Sequence, residues 1–286
     1  MSLWARVASI ALVAPALVLV TGARQAVRAE VPVPAAAKAK QQGCNPATFR
    51  PVIDVGHTAE NPGAISARGV SEYDFNLRLA QLIEKRLREA GFENTKLLVT
   101  SGKSHRTLFT RSAQANSLPA DLFLSIHHDS VPNRFLQKWR NDETERTYSD
   151  RFKGHSIFIS KDNADPKGSL LFASLLGKEM KERGLHYTPH YTEKFMGSRK
   201  RILVDAEAGV YRYDQLIVLR TTRMPAVLLE AGLIINRDEE LELNSVDRQG
   251  LISGAVADAV EAFCAARSPA SRATAAVQPI KRLSRH

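Results

Sequence analysis

Between residues 50 and 265, short apolar runs alternate with longer stretches whose apolar residues recur at helical spacing. Pro51 to Val55 reads as a strand ending at Gly56-His57. Glu72 to Ala90 follows as a helix, with Phe75, Leu79, Leu82, Ile83 and Leu87 on one face and Gly91 placed to end it. The pattern then predicts a strand over Lys96 to Thr100, a helix over Leu108 to Asn116, and a strand over Leu122 to His127 entered through Pro119-Ala120-Asp121. After a polar, charged stretch from Val131 to Gly154, His155 to Ser160 reads as a strand and Ser169 to Arg183 as a helix. The apolar runs Ile217 to Leu219 and Val227 to Leu229 complete the strands. A last helix runs from about Arg248 to Ala265, with Leu251, Ile252, Ala255, Val256, Ala259, Val260 and Phe263 as its buried stripe. Such alternation predicts a single α/β domain over residues 50–266, with a mostly parallel central sheet of about six strands and helices on both faces.

The flanks differ in composition. Residues 1–29 read as a secretory signal: Arg6, then the apolar stretch Val7 to Val20, then Val27-Arg28-Ala29 as a small-residue cleavage site. Interrupted by Pro15, the apolar stretch falls short of the roughly 20 residues that span a bilayer, so no transmembrane segment is expected once the signal is removed. Residues 30–49, with Val-Pro-Val-Pro and an alanine run, read as a linker, and residues 267–286 as a basic disordered tail carrying Arg272, Lys281, Arg282 and Arg285. The expected location is therefore periplasmic or extracellular. An exported compartment permits Cys44 and Cys264 to pair and tie the ends of the domain together; two unpaired buried thiols are the alternative.

A hydrophobic content of 44% suits a globular chain with a full core and excludes a fibrous or disordered one. The formal net charge of +10, of which Arg6, Arg24 and Arg28 leave with the signal, suggests an anionic partner or surface. Basic residues are spread among acids and no nucleic-acid module is visible, so the cell envelope is expected rather than nucleic acid.

Ligand sites in parallel sheets lie beyond the carboxyl ends of the strands. His57, His127 and Glu230 each fall at such an end, and Glu72 lies in the first turn of the helix that follows the first strand. Glu230 closes the apolar run Ala226-Val227-Leu228-Leu229, where an ionised carboxylate is costly unless a metal, a partner or a reaction uses it. Two imidazoles with one carboxylate are a ligand set of catalytic zinc sites, which keep a fourth position for water. A lone strand-end histidine is more often structural; the joint pattern is what points to chemistry.

That pattern resembles the zinc-dependent N-acetylmuramoyl-L-alanine amidases of the peptidoglycan-hydrolysing Amidase_3 type, over about residues 51 to 263. Asp54-Val55-Gly56-His57 is similar to the family's Asp-Pro-Gly-His, with Val55 in place of proline. Glu72 to Leu77 is similar to its Glu-x-x-x-Asn-Leu helix start, and Arg111 with Ala115-Asn116 to its Arg-x-x-x-Ala-Asn segment. Ser125-Ile126-His127 matches its strand end, followed here by His128-Asp129-Ser130 instead of Ala-Asn-Ala, and Val227 to Asn236 is similar to its catalytic-glutamate strand.

The resemblance implies one zinc ion per chain held by His57, Glu72 and His127, with Glu230 as acid and base. The implied substrate is peptidoglycan, cut at the amide between the muramic acid lactyl group and L-alanine. Alternating strand side chains allow only one of His127 and His128 to reach the metal, and the family register selects His127, leaving His128 behind it or facing substrate. Asp54 is expected as a supporting carboxylate, and Arg68, Arg111 and Arg220 either as contacts to an anionic stem peptide or as structural ion pairs.

His105, His155, His186, His190 and His286 are expected on surfaces or loops. The stretch 131–154, with Trp139 between Lys138 and Arg140, is either a lid or regulatory insertion, where an activating protein could dock, or a solvated excursion. A wall-binding protein without turnover, and a zinc peptidase or deacetylase acting on another envelope amide, are the competing readings.

Overall fold

The apolar runs become the strands of one large sheet, and the polar stretch after the third of them folds back on itself. In chain order the strands are β1 (Pro51–Val55), β2 (Lys96–Leu98), β3 (Leu122–Asp129), β4 (Gln137–Asn141), β5 (Thr144–Tyr148), β6 (Ser156–Ile159), β7 (Ile202–Asp205), β8 (Val210–Arg212) and β9 (Ala226–Leu233). The helices are α1 (Glu72–Glu89), α2 (Arg106–Asn116), α3 (Pro166–Glu182), α4 (Ile217–Arg220), α5 (Arg237–Leu243) and α6 (Val246–Ala266). The computed structural model describes residues 43–103 and 106–268. The expected signal, residues 30–42 of the expected linker, the tail beyond Ser268, His105 and His286 lie outside the described residues.

Seven strands, where about six are expected, form the main sheet in the order β2-β1-β3-β9-β6-β8-β7. The pairs β1·β2, β1·β3, β3·β9 and β6·β8 are parallel, whereas β6 runs against β9 and β7 against β8. Alternation along the strands divides the core into two layers. Ile53, Val55, Leu124, Ile126, Val227 and Leu229 pack against α1, α3 and α6. Val52, Phe123, Phe158 and Leu228 face the other way, onto Ala115 of α2 and Val218 and Leu219 of α4.

Helix α1 starts where the sequence predicts because Ser71 caps it, its hydroxyl accepting the Asp74 N–H at 3.2 Å.

Three expectations need correcting. Ile217 to Leu219 is a helical turn rather than a strand: the Thr221 and Thr222 hydroxyls donate back to the Ile217 and Val218 carbonyls at 2.6 Å each and close it. A three-residue apolar run carries no period that separates the two states. The place beside β6 is taken by β8, whose approach from β7 turns at Asp205, which accepts the Glu207 and Ala208 N–H groups. His155 and His190, expected at the surface, are only 3% and 2% exposed, and burial pushes them down to about 3 and about 4, so both are neutral in the folded protein.

Cys44 and Cys264 form a disulfide that joins residues 220 positions apart in sequence. Phe49, inside the stretch read as linker, sets its ring edge-on against Phe92 and Phe263, so chain beyond the cystine is packed on α6. A crosslink closing so long a loop removes a large share of the unfolded chain's freedom. Reduction, or the Cys44→Ala and Cys264→Ala pair, is expected to lower unfolding stability by about 2–4 kcal/mol in urea titrations with the native helix content kept; an unchanged midpoint would contradict this.

Candidate metal centre

The end of β1 and the end of β3 are neighbours, and the chain leaving β1 turns sharply there. Gly56 donates its N–H to the Ile126 carbonyl at 2.9 Å, and a Cβ on Gly56 would stand 2.5 Å from the His127 ring. His57 then adopts a left-handed backbone, φ 66°, which costs a non-glycine residue and aims its side chain at the start of α1. Gly63, also left-handed, leaves room in the same place: its Cβ would meet Glu72 Oε2 at 2.5 Å and the His57 ring at 2.7 Å.

Glu72 stands at the first position of α1 with one carboxylate oxygen on each histidine. Its Oε1 lies 2.9 Å from His127 Nδ1 and its Oε2 lies 3.1 Å from His57 Nε2. One donor atom from each of His57, Glu72 and His127 lies within 4.8 Å of the other two, an arrangement that can hold a metal ion. Burial pushes the Glu72 carboxyl up, but the hydrogen bonds and charges of His127 and His57 outweigh it and hold it well below the usual carboxylate range. Burial pushes His127 down against the pull of Glu72. An ionised Glu72 carboxylate beside an unprotonated His127 is the form in which such groups bind metals.

Glu230 is the Cα register partner of His127 on the adjacent β9. Both residues lie inside their strands rather than at the ends: β3 continues to Asp129 and β9 to Leu233, with a register shift between His127 and Asp129 that opens the ladder at this point. Oε2 of Glu230 is buried and has no hydrogen-bond partner among the described residues. Burial, then the charges of Asp129 and Glu72, push its carboxyl well above the usual range. Burial likewise pushes Asp129 up to about 6, against hydrogen bonds from the Tyr191 hydroxyl (2.7 Å) and the Ser130 N–H. Three buried or half-buried acids thus face one another with a shortage of positive charge, which a divalent cation at the His57, Glu72 and His127 donors would relieve.

Supporting groups fix this geometry. Asn76, one helical turn from Glu72, donates to the Gly56 carbonyl at 3.1 Å and to Glu72 Oε1 at 3.3 Å while its Oδ1 meets His128 Nδ1 at 2.7 Å. His128 therefore packs on α1, its ring 5.4 Å from that of Phe75, and stays out of the donor group. Arg111 of α2 is buried and forks onto Asp54, donates to Ser125 Oγ at 2.9 Å, and places the same nitrogen 3.5 Å from His127 Nε2.

Of the other arginines, Arg68 pairs with Glu240 at 2.7 Å, and Arg220 is exposed. Asn76 and Asp129 stand in the sequence motifs with no role assigned to them, and Tyr191 stands in none. The i,i+4 spacing of Glu72 and Asn76 was the signal for the first, but nothing local in the sequence announces Tyr191.

The stretch 131–154 is a β-hairpin, β4 with β5, laid across the loop between His57 and Glu72. Trp139 Nε1 donates to the Ala67 carbonyl at 3.1 Å, Arg146 fills the space beside Gly69, and the Ser149 N–H donates to the Ile235 carbonyl. The hairpin is thus fastened to the loop that carries two of the three donors.

Arg111→Met leaves Asp54 charged and buried without a partner, a loss of about 3–5 kcal/mol, and Arg111→Met with Asp54→Leu is expected to recover a large part of it. Denaturant titration of the single and double variants reads the difference; equal losses in the two would contradict the pairing.

The chain matches the family model described as N-acetylmuramoyl-L-alanine amidase over residues 52–262. It is 25% identical over 224 residues to the N-acetylmuramoyl-L-alanine amidase AmiA of Escherichia coli, covering 74% of this chain and 75% of the relative. Among solved structures, the catalytic domain of the amidase CwlV from Bacillus (Paenibacillus) polymyxa is similar at 26% identity and a TM-score of 0.54, covering 75% of this chain and 97% of that one. The CwlD amidase of Clostridioides difficile, solved in complex with the GerS lipoprotein, shares the fold at 18% identity and a TM-score of 0.55, covering 76% and 98%. With the family model spanning most of the chain, this protein belongs to the Amidase_3 family of N-acetylmuramoyl-L-alanine amidases.

Proposed function

We propose that the chain uses zinc, one ion held by His57, Glu72 and His127, to hydrolyse the amide between the lactyl group of N-acetylmuramic acid and L-alanine. The stem peptide is thereby released from the glycan. The family supports the coarser reading, an enzyme that acts as a peptidoglycan amidase. The single observation that carries the finer one is the Glu72 carboxylate shared between His57 and His127, with the unpartnered Glu230 oxygen on the neighbouring strand.

When bound, zinc supplies Lewis acidity toward a water molecule and the scissile carbonyl. The residues of the chain perform the proton work. Glu230 takes the proton of the attacking water as its oxygen bonds to the carbonyl carbon, and gives that proton to the departing nitrogen as the carbon–nitrogen bond breaks. Burial and the neighbouring acids hold the Glu230 carboxyl above its usual range, and the charge of a bound cation would draw it back down, so that it can both take and return the proton. Arg111, Asp54 and Asn76 hold the donors in place, so little rearrangement is needed when the metal and substrate arrive.

Export through residues 1–29 and action in the periplasm or outside the cell belong to the same proposal. Among the described residues no helix is long and apolar enough to cross a membrane. An activating protein at the insertion 131–154 is the proposed partner besides peptidoglycan: the β4–β5 hairpin touches the donor loop through Trp139, so pressure on its outer face would be felt at His57 and Glu72.

The Glu230→Gln variant tests the assignment. Digestion of purified sacculi is expected to slow by at least about a hundredfold, with one zinc per chain retained in metal analysis. Full activity would contradict the proton-transfer role, and loss of zinc would reassign Glu230 as a ligand.

A further inference from the structure

Two segments close on the Asp129 end of the site. One is the insertion, whose ends carry Arg134, Phe135, Arg151 and Phe152. The other is residues 189–201, fastened by the Tyr191 hydroxyl on Asp129 and by the Arg201 N–H on the Tyr191 carbonyl at 2.8 Å. Rings lock the two together. Phe135 meets Phe195 edge-on with centroids 5.2 Å apart, and Phe152 stacks on Phe195 at 5.5 Å and lies 4.9 Å from the His190 ring.

This aromatic wall carries cations. The Arg151 guanidinium lies 4.9, 5.2 and 4.8 Å from the centroids of Phe135, Phe152 and Phe195, and that of Arg134 lies 4.7 Å from Phe135. Arg199 ends the turn that begins just before Phe195, and its charge reaches Asp129 and Tyr191. Arg134, Arg151 and Arg199 are exposed, and among the described residues none is paired with a carboxylate. Arg50, Arg68, Arg183, Arg212 and Arg237, by contrast, each reach one.

A guanidinium lying over aromatic rings has its plane fixed while its edge of N–H donors stays open, the geometry that grips a carboxylate with two parallel hydrogen bonds. The segment that carries Arg199 is fastened to Asp129, two residues beyond His127, and the insertion that carries Arg151 leaves the same strand, so both arginines stand beside the site where a peptide would lie.

We propose that Arg151 and Arg199 form a carboxylate-binding subsite for the peptide side of the scissile amide, making the protein selective for stem peptides whose residue after L-alanine keeps a free carboxylate. The inference rests on the amidase reading above and adds the substrate form that the site prefers.

The test compares N-acetylmuramoyl-L-alanyl-D-glutamate with the same compound amidated at its α-carboxylate, using the full mature chain loaded with zinc. The wild type is expected to favour the acid by about tenfold in kcat/KM, carried by KM, the scale of one charge-assisted hydrogen-bonded contact. Arg199→Met is expected to bring the ratio near one, Arg199→Lys to restore part of it, and Arg199→Glu to invert it. Arg199 makes no ring contact, so its variants carry the test even if Arg151→Met unfolds the stack. A wild type that cleaves both compounds equally, or an Arg199→Met variant that keeps the wild-type ratio, overturns the subsite and leaves the amidase reading standing. Failure of the wild type to cleave either compound or sacculi counts against the amidase reading instead.

Discussion

The site depends on one buried carboxylate, Glu72, divided between two imidazoles. Left alone, such a group favours its neutral form; here both oxygens are occupied, by His127 Nδ1 at 2.9 Å and His57 Nε2 at 3.1 Å, and the ionised form wins. The same interaction explains local features that otherwise look costly. His57 takes a left-handed backbone to reach Glu72, and Gly56 and Gly63 leave space that any side chain would fill. Asn76 and the Arg111–Asp54 pair supply further hydrogen bonds around the donors, as buried polar groups require.

Around this centre the charges are divided in space. Acids collect at the middle, where Glu230 and Asp129 join Glu72 and are pushed upward by burial and by one another. Arginines stand at the rim, on the interlocked rings of the insertion and of residues 189–201. A cation at the centre and an anionic peptide at the rim are the complement of that division. The β4–β5 hairpin serves both regions: Trp139 fastens the donor loop, and the chain just outside the hairpin builds the aromatic wall.

Much of this was legible in the sequence because the signals are periodic or local. The 3.6-residue stripe and Ser71 fix α1 and hence Glu72, and the apolar runs ending at Gly56-His57 and running into His127-His128 fix two strands of the sheet. Legibility fails where tertiary contacts decide. Ile217 to Leu219 is too short for its period to choose between strand and helix, and β7 and β8 are short segments that gain their state from pairing with each other and with β6. The hairpin's polar alternation resembles a solvated loop until Trp139 finds the Ala67 carbonyl. Tyr191 joins the site across 62 residues, a relation with no local trace.

The proposed centre requires that Glu72 hold a metal together with His57 and His127. Calorimetric titration of zinc into the metal-stripped protein and into Glu72→Gln tests it most directly, because the substitution keeps the shape and removes the charge. The wild type is expected to show one tight site per chain, and the variant an affinity weakened by about two orders of magnitude or more with the fold intact by circular dichroism. Equal affinity in the two proteins would contradict it.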